Sequence, residues 1–287
     1  MAQLAQRALI LDFNDEYGEF HIPSMAVEHI PAFMVHPVAE IRRIRPFVMS
    51  GGKWVPMTSA DMIMTLERVI GMYRGGAILI EDPNKYIVDN VMPPDFTGKL
   101  ISKRHSDLDI IMHYQSVARP LPIVWQNTNI VRYHCQMDPV IRSKAKLTEL
   151  TDVFQIAELL VNHEYYDVGN ERFFVYVSRD AGAIIGDFTY AQFDAALDKF
   201  IMYSPGVLRP YQIKYKMQGY NPINAYNAAL KECKGELFKK YYGNNKASLA
   251  TDKKREGRTL VCTGRQGVGK THETMRYLRE DYCVSIP

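Results

Sequence analysis

The chain has 287 residues, 47% hydrophobic and 23% charged, a balance that suits one sizeable globular domain or two small ones and excludes a mainly disordered protein. Its longest apolar stretches, such as residues 8–11 and 77–80, fall far short of the roughly 18 residues that cross a bilayer. The net charge of +3 hides an asymmetry: residues 209–281 hold 16 Lys and Arg against 7 Asp and Glu. Such a block suits a phosphate backbone and equally a solvated helical face.

Residues 8–11 run into Asp12, Asp15, Glu16 and Glu19. That is no secretory signal, so a cytoplasmic protein is expected. The same run, closed by Asp12, reads as a strand buried on both faces. Residues 21–57, rich in Pro, His and Met, are expected to be irregular. Their cluster Arg42, Arg43 and Arg45 suits phosphate, a neighbouring subunit or solvent. From Ser59 the pattern is helical: Ser59 is the expected cap, Asp61 suits the first turn, and Ile63, Leu66, Ile70 and Tyr73 share a face. Gly75-Gly76 stops it.

Residues 77–80 form a second expected strand, followed by Glu81-Asp82; residues 108–114 form a third, ending at Gln115; residues 123–126 form a fourth. Strands of one parallel sheet that end in polar groups place Asp12, Glu81, Asp82 and Gln115 along one edge, where open α/β sheets bind ligands. Further on, residues 148–164 read as a helix, and 172–178 with 183–188 as a hairpin. A helix capped by Thr189 runs to about Tyr203, a further helix covers 222–242, and 243–250 has linker composition. Tyr165, Tyr166 and the aromatic run 173–176 read as packing residues rather than base-stacking platforms. Cys135, Cys233, Cys262 and Cys283 contain no Cys-x-x-Cys pair, so reduced thiols and no structural metal are expected.

The sharpest signal is Gly264-Arg265-Gln266-Gly267-Val268-Gly269-Lys270-Thr271, lying between the apolar strand 259–262 and a helical segment, 271–279. Glycines let such a loop wrap a phosphate chain with backbone N–H groups, and the helix N-terminus adds partial positive charge. Residues 264–272, His272 included, are the expected nucleotide contacts. Lys270 would reach the β- and γ-phosphates, and Thr271 would supply a hydroxyl to Mg²⁺. Such a site needs one carboxylate near the metal and another for the attacking water. Glu81 and Asp82 are the best pair in the chain, with their roles left open between them.

Together these residues resemble the FtsK/HerA branch of P-loop ATPases, including zonula occludens toxin-like proteins and viral packaging ATPases. Residues 8–20, with Asp12, Glu16 and Tyr17, look like that family's Asp-x-x-x-Glu-Tyr strand. Residues 80–86 look like its acid-bearing strand, and 104–115 are similar to its later strand with a polar sensor. The resemblance covers roughly residues 7–126 and 258–281. It implies a RecA-like P-loop fold using ATP and Mg²⁺, with Gln115 sensing the γ-phosphate and Arg104 acting as an arginine finger for a neighbouring subunit. It further implies a homo-oligomeric ring, a hexamer or pentamer, that translocates or packages DNA. Two alternatives are an assembly or extrusion factor of the zonula occludens toxin-like kind and a nucleotide-binding structural protein with little turnover.

In that family the phosphate loop comes first, whereas here it comes last, the order a circular permutation would give. The expected organisation is an ATPase core of residues 1–165 and 251–287, carrying a small addition of hairpin, helices and basic linker over 166–250.

Overall fold

The computed structural model describes residues 7–36, 38–87, 92–102, 107–143, 147–243, 259–265 and 270–281. Its strands, in chain order, are β1 (Arg7–Leu11), β2 (Glu40–Ile44), β3 (Phe47–Ser50), β4 (Lys53–Pro56), β5 (Gly76–Ile80), β6 (Leu108–Tyr114), β7 (Ile130–His134), β8 (Phe174–Ser178), β9 (Ala183–Gly186) and β10 (Thr259–Thr263). Eight of these make a mostly parallel sheet flanked by helices, in the order β2-β1-β5-β6-β10-β7-β8-β9. The α/β class expected from the sequence is thus the one observed. The chain divides into two units, Met1–Val131 with Leu249–Pro287, and Arg132–Ser248.

In the first unit β1, β5, β6 and β10 are buried along their whole length, as continuous Val/Ile/Leu runs require of parallel strands covered on both faces. The register is parallel throughout: Leu11 lies opposite Ile80, Ile80 opposite Met112, and Tyr114 opposite Thr263. The last strand in sequence therefore lies beside β6, next but one to β5. Each fully buried Leu or Ile here contributes about 1.5–3 kcal/mol of apolar burial.

Gly76 begins β5 with φ +127°, and a Cβ there would stand 2.3 Å from the Arg7 carbonyl oxygen and 2.8 Å from the Tyr73 hydroxyl. Only glycine allows β1 and β5 to pair that closely.

Three sequence expectations are corrected in this unit. Residues 123–126 are not a strand. They lie in helix α4 (Pro122–Asn127), where Pro122 suits the first turn and the Asn127 amide bonds back to the Ile123 carbonyl at 2.9 Å. The strand is β7, four residues further on.

Residues 21–57 are not irregular. They contain helix α1 (Ile30–Val35), strand β2 and the antiparallel hairpin β3–β4. The arginine cluster lies in and just after β2, which pairs with β1 from Arg7–Glu40 to Leu11–Ile44. Helix α2 (Ser59–Met72) is capped one residue earlier than expected, because Thr58 and Asp61 form a reciprocal capping box. Helix α3 (Pro94–Ser102) completes this part of the unit.

The second unit holds α5 (Thr151–Asn162), which continues into a π-helical turn, His163–Val168, closed by Gly169 at φ 82°. The hairpin β8–β9 and helix α6 (Tyr190–Tyr203) follow, and Thr189 caps α6 as expected, in a capping box with Gln192. Helices α7 (Arg209–Met217) and α8 (Pro222–Tyr241) complete it. The rings of Phe188, Phe193, Phe238 and Tyr242 pack at 4.7–5.9 Å between centroids, and the Arg132 guanidinium lies 3.7 Å from the Phe174 ring centre. Phe173 is buried and Phe174 packs on Arg132 and Tyr176, as the sequence suggested, whereas Tyr166, also expected to pack, is exposed and meets the Tyr165 ring edge-on. Among the described residues no helix is long and apolar enough to cross a membrane.

Candidate active site

Strands that run in one direction gather their C-terminal ends on one edge of the sheet. In the first unit that edge receives Asp12 after β1, Glu81 after β5, His113 near the end of β6 and Thr263 at the end of β10. All four are buried. From β10 the chain enters the glycine-rich loop, and helix α9 (Lys270–Asp281) begins at its lysine.

Lys270 donates from Nζ to the carbonyl oxygens of Gly264 at 2.7 Å and Arg265 at 3.1 Å. Burial lowers its pKa from the usual lysine range, while the carboxylates of Asp82, Glu81 and Glu16 pull the other way. A lysine at a helix N-terminus adds positive charge where backbone N–H groups already favour an anion.

Glu81 is the hub of a buried network. The Tyr17 hydroxyl donates to its Oε1, and His113 Nδ1 lies 2.7 Å from the same oxygen. The other imidazole nitrogen, Nε2, lies 2.7 Å from Thr274 Oγ1, in the second turn of α9. Thr271 offsets part of the rise in the Tyr17 pKa. His113 thus connects the acid after β5 to the helix that follows the glycine-rich loop.

Burial opposes charge on His113, but the Glu81 carboxylate outweighs it and the pKa is pushed up to about 10. Burial likewise opposes charge on Glu81, yet His113, Tyr17 and Lys270 hold its pKa below the usual glutamate value. Both shifts describe a carboxylate–imidazolium pair, satisfied by hydrogen bonds as a buried ion pair must be.

Asp12 fixes the turn that carries Tyr17. Its carboxylate accepts from the backbone N–H of Glu16 at 2.9 Å and of Tyr17 at 3.2 Å, and from Arg43 Nη1 at 2.8 Å. Burial still raises its pKa overall. Glu16 is also raised, first by desolvation and then by repulsion from Glu81, Asp82 and Asp12. Asp82 adopts the left-handed backbone region at φ 37°, ψ 59°, a conformation that costs an L-residue about 1–2 kcal/mol and is concentrated at functional sites.

Of the residues expected from sequence, Glu81, Lys270 and Thr271 are brought together, with Asp82 close enough to bias Lys270 and Glu16. Gln115 is exposed, directly after Tyr114, and is not bonded to Glu81 or Lys270. His272 is exposed beside Phe20, 6.3 Å between ring centres. Arg104, Gln266, Gly267, Val268 and Gly269 lie outside the described residues.

Sequence reasoning missed His113 and Thr274 and did not give Tyr17 a role. The available signal was a histidine inside an otherwise buried strand, which must find a partner. A second was Thr274, one helical turn beyond Lys270 and so on the same face.

No protein-family model matches the chain, and no curated protein matches it by sequence. Solved structures of the genome packaging NTPase B204 from Sulfolobus turreted icosahedral virus 2 are similar to it. The AMP complex aligns at 14% identity with a TM-score of 0.41, covering 63% of this chain and 80% of that one. The AMPPCP complex aligns at 13% identity and 0.37, covering 63% and 81%. The ATP-gammaS complex aligns at 13% identity and 0.37, covering 63% and 80%.

Proposed function

We propose that the chain is a P-loop ATPase, the subunit of a homo-oligomeric ring, hexameric or pentameric, that drives DNA translocation or packaging in the manner of the FtsK/HerA branch. One observation carries the ATPase part: Lys270 and Thr271 open a helix after a buried parallel strand, and side-chain hydrogen bonds link that helix to Glu81, an ionised carboxylate on the same sheet edge. The loop and its lysine bind the phosphates.

The donors at this edge, a threonine hydroxyl and carboxylates, are the hard oxygen ligands that suit Mg²⁺. Thr271 with Asp82 or Glu81 would hold the ion, which would neutralise charge on the phosphates. Among the described residues no three acidic, histidine or cysteine side chains are grouped to hold a metal by themselves.

Glu81 orients the attacking water and accepts its proton. Both of its hydrogen bonds reach Oε1, so Oε2 remains for that task. Gln115, at the end of β6, senses the γ-phosphate, and Arg104 completes a neighbouring subunit's site. The phosphate-loop strand at the end of the chain, set beside β6, is read as a circular permutation of the family order.

DNA is supported by the second unit. Residues 199–231 contain five basic and no acidic residues, α7 buries none of its side chains, and Arg209, Lys216 and Lys231 are exposed. A surface of that sign attracts a phosphate backbone. One observation favours a nucleotide-holding protein with little turnover instead: Glu81 is already engaged by two donors.

ATP hydrolysis by the purified chain, with and without double-stranded DNA and beside Lys270→Ala, separates these readings. Turnover that rises with DNA and vanishes in the variant is expected of the motor. Nucleotide binding without turnover under either condition selects the holding protein.

A further inference from the structure

We infer that His113 is a positioning residue, fixing Glu81 against the helix that carries Lys270 and Thr271. The inference rests on the ATPase reading and names a component that reading does not contain. His113 occupies β6, between β5, which Glu81 follows, and β10, which enters the glycine-rich loop. Its backbone lies opposite Cys262 of β10, while its ring spans 2.7 Å contacts to Glu81 on one side and to Thr274 on the other.

Every member of the chain is buried: Tyr17, Glu81, His113, Cys262 and Thr274 are each 4% exposed or less. His113 Nδ1 faces Glu81 Oε1 and Nε2 faces Thr274 Oγ1, each at 2.7 Å, so a hydrogen bond is made on both sides of the ring. The threonine hydroxyl also lies 3.9 Å from Cys262 Sγ. The imidazole is therefore held from two directions, and it holds one oxygen of the carboxylate in turn.

Lys270 and Thr274 are one turn apart in α9, so the bonded path from Thr274 through His113 ties Glu81 to the helix that carries Lys270 and Thr271. A residue with this task acts on the chemical step rather than on nucleotide affinity, and loss of such supporting partners typically lowers activity about 10- to 100-fold.

The test uses the full chain. In nucleotide-free protein, NMR should show a downfield, exchange-protected imidazole N–H resonance that disappears in His113→Gln and moves in Thr274→Val. In steady-state ATP hydrolysis, His113→Ala should lower kcat about 10- to 100-fold with KM for ATP changed by no more than about twofold. Thr274→Val should lower it part of the way, Thr274→Ser should restore it, and the double variant His113→Ala/Thr274→Val should be no worse than His113→Ala alone.

Wild-type turnover matched by His113→Ala, additive effects in the double variant, or a resonance indifferent to Thr274→Val would each overturn the inference while leaving the ATPase reading standing. A wild-type chain that neither binds nor hydrolyses ATP overturns that reading and takes this inference with it.

Discussion

Arg43 Nη1 lies 2.8 Å from Asp12 Oδ2, so a basic side chain of edge strand β2 neutralises the fully buried acid that closes β1. The same guanidinium reaches Asp15 Oδ1 at 2.9 Å and, through Nε, the Ile22 carbonyl at 3.1 Å. Its planar fork reaches three acceptors from fixed, separated nitrogens, a geometry that a lysine's single ammonium does not reproduce. Removing it leaves a buried carboxylate without its cation, a change that typically costs about 3–5 kcal/mol.

Arg43→Ala is therefore expected to lower unfolding free energy by about 3 kcal/mol at pH 7, with Arg43→Lys intermediate, as read from urea denaturation. The folded-state pKa of Asp12 already lies above its usual value because of burial, and loss of Arg43 raises it further. The defect should thus shrink as pH falls and Asp12 protonates. A defect of equal size at pH 4 and pH 7 would argue against this account.

Lys270 is the cation most directly tied to the loop, through the Gly264 and Arg265 carbonyls. Lys270→Ala should weaken binding of a fluorescent ATP analogue at least about tenfold, the effect of losing one charge-assisted contact of about 1.4 kcal/mol or more. The melting temperature should change little, because the side chain closes no hydrophobic core. Unchanged affinity would remove the phosphate-loop assignment.

Glu81 and Asp82 are neighbours in sequence with opposite surroundings. Glu81 is 4% exposed and paired with His113, whereas Asp82 is half-buried in a left-handed backbone turn. Glu81→Gln should retain ATP binding and lower kcat by about 10²-fold or more, as expected when the group that takes the proton is lost. Asp82→Asn should instead raise the Mg²⁺ concentration needed for half-maximal turnover. The reverse pattern would exchange the two roles.

The strands of the first unit that the sequence revealed are those whose burial is continuous. Residues 77–80 and 108–114 are apolar runs between breakers, and they form β5 and β6. Strand β2 was hidden because its burial pattern, with Ile41 and Ile44 inward, follows neither alternation nor a continuous run. It exists through non-local pairing with β1. Residues 123–126 illustrate a known ambiguity, since a short apolar run has no period of its own, and Pro122 at the first helical turn decided it. In the site, the glycine-rich segment leading to Lys270 and Thr271 stood out in the sequence because a phosphate loop would need glycine, lysine and threonine at fixed spacing; Gly264, Arg265, Lys270 and Thr271 are its described members. The Glu81–His113–Thr274 link joins three distant segments, and no local pattern records it.

Lys99 offers a test of burial energetics away from the site. It lies in α3, 7% exposed, and burial, aided by repulsion from Arg74, lowers its pKa to about 8. Between about pH 8 and the ordinary lysine value the unfolded chain binds the proton and the folded chain does not. Stability from this group therefore rises with pH across that window, and below it the full cost of burying the ammonium is felt. Lys99→Met, which keeps the length and removes the charge, should stabilise the protein at pH 7 by about 1–2 kcal/mol, less than the full shift because the side chain retains some solvent. The advantage over wild type should narrow by pH 10, where folded wild type carries the neutral amine. Matched denaturation curves at the two pH values read it directly, and a constant gap would mean that Lys99 keeps its proton in the fold.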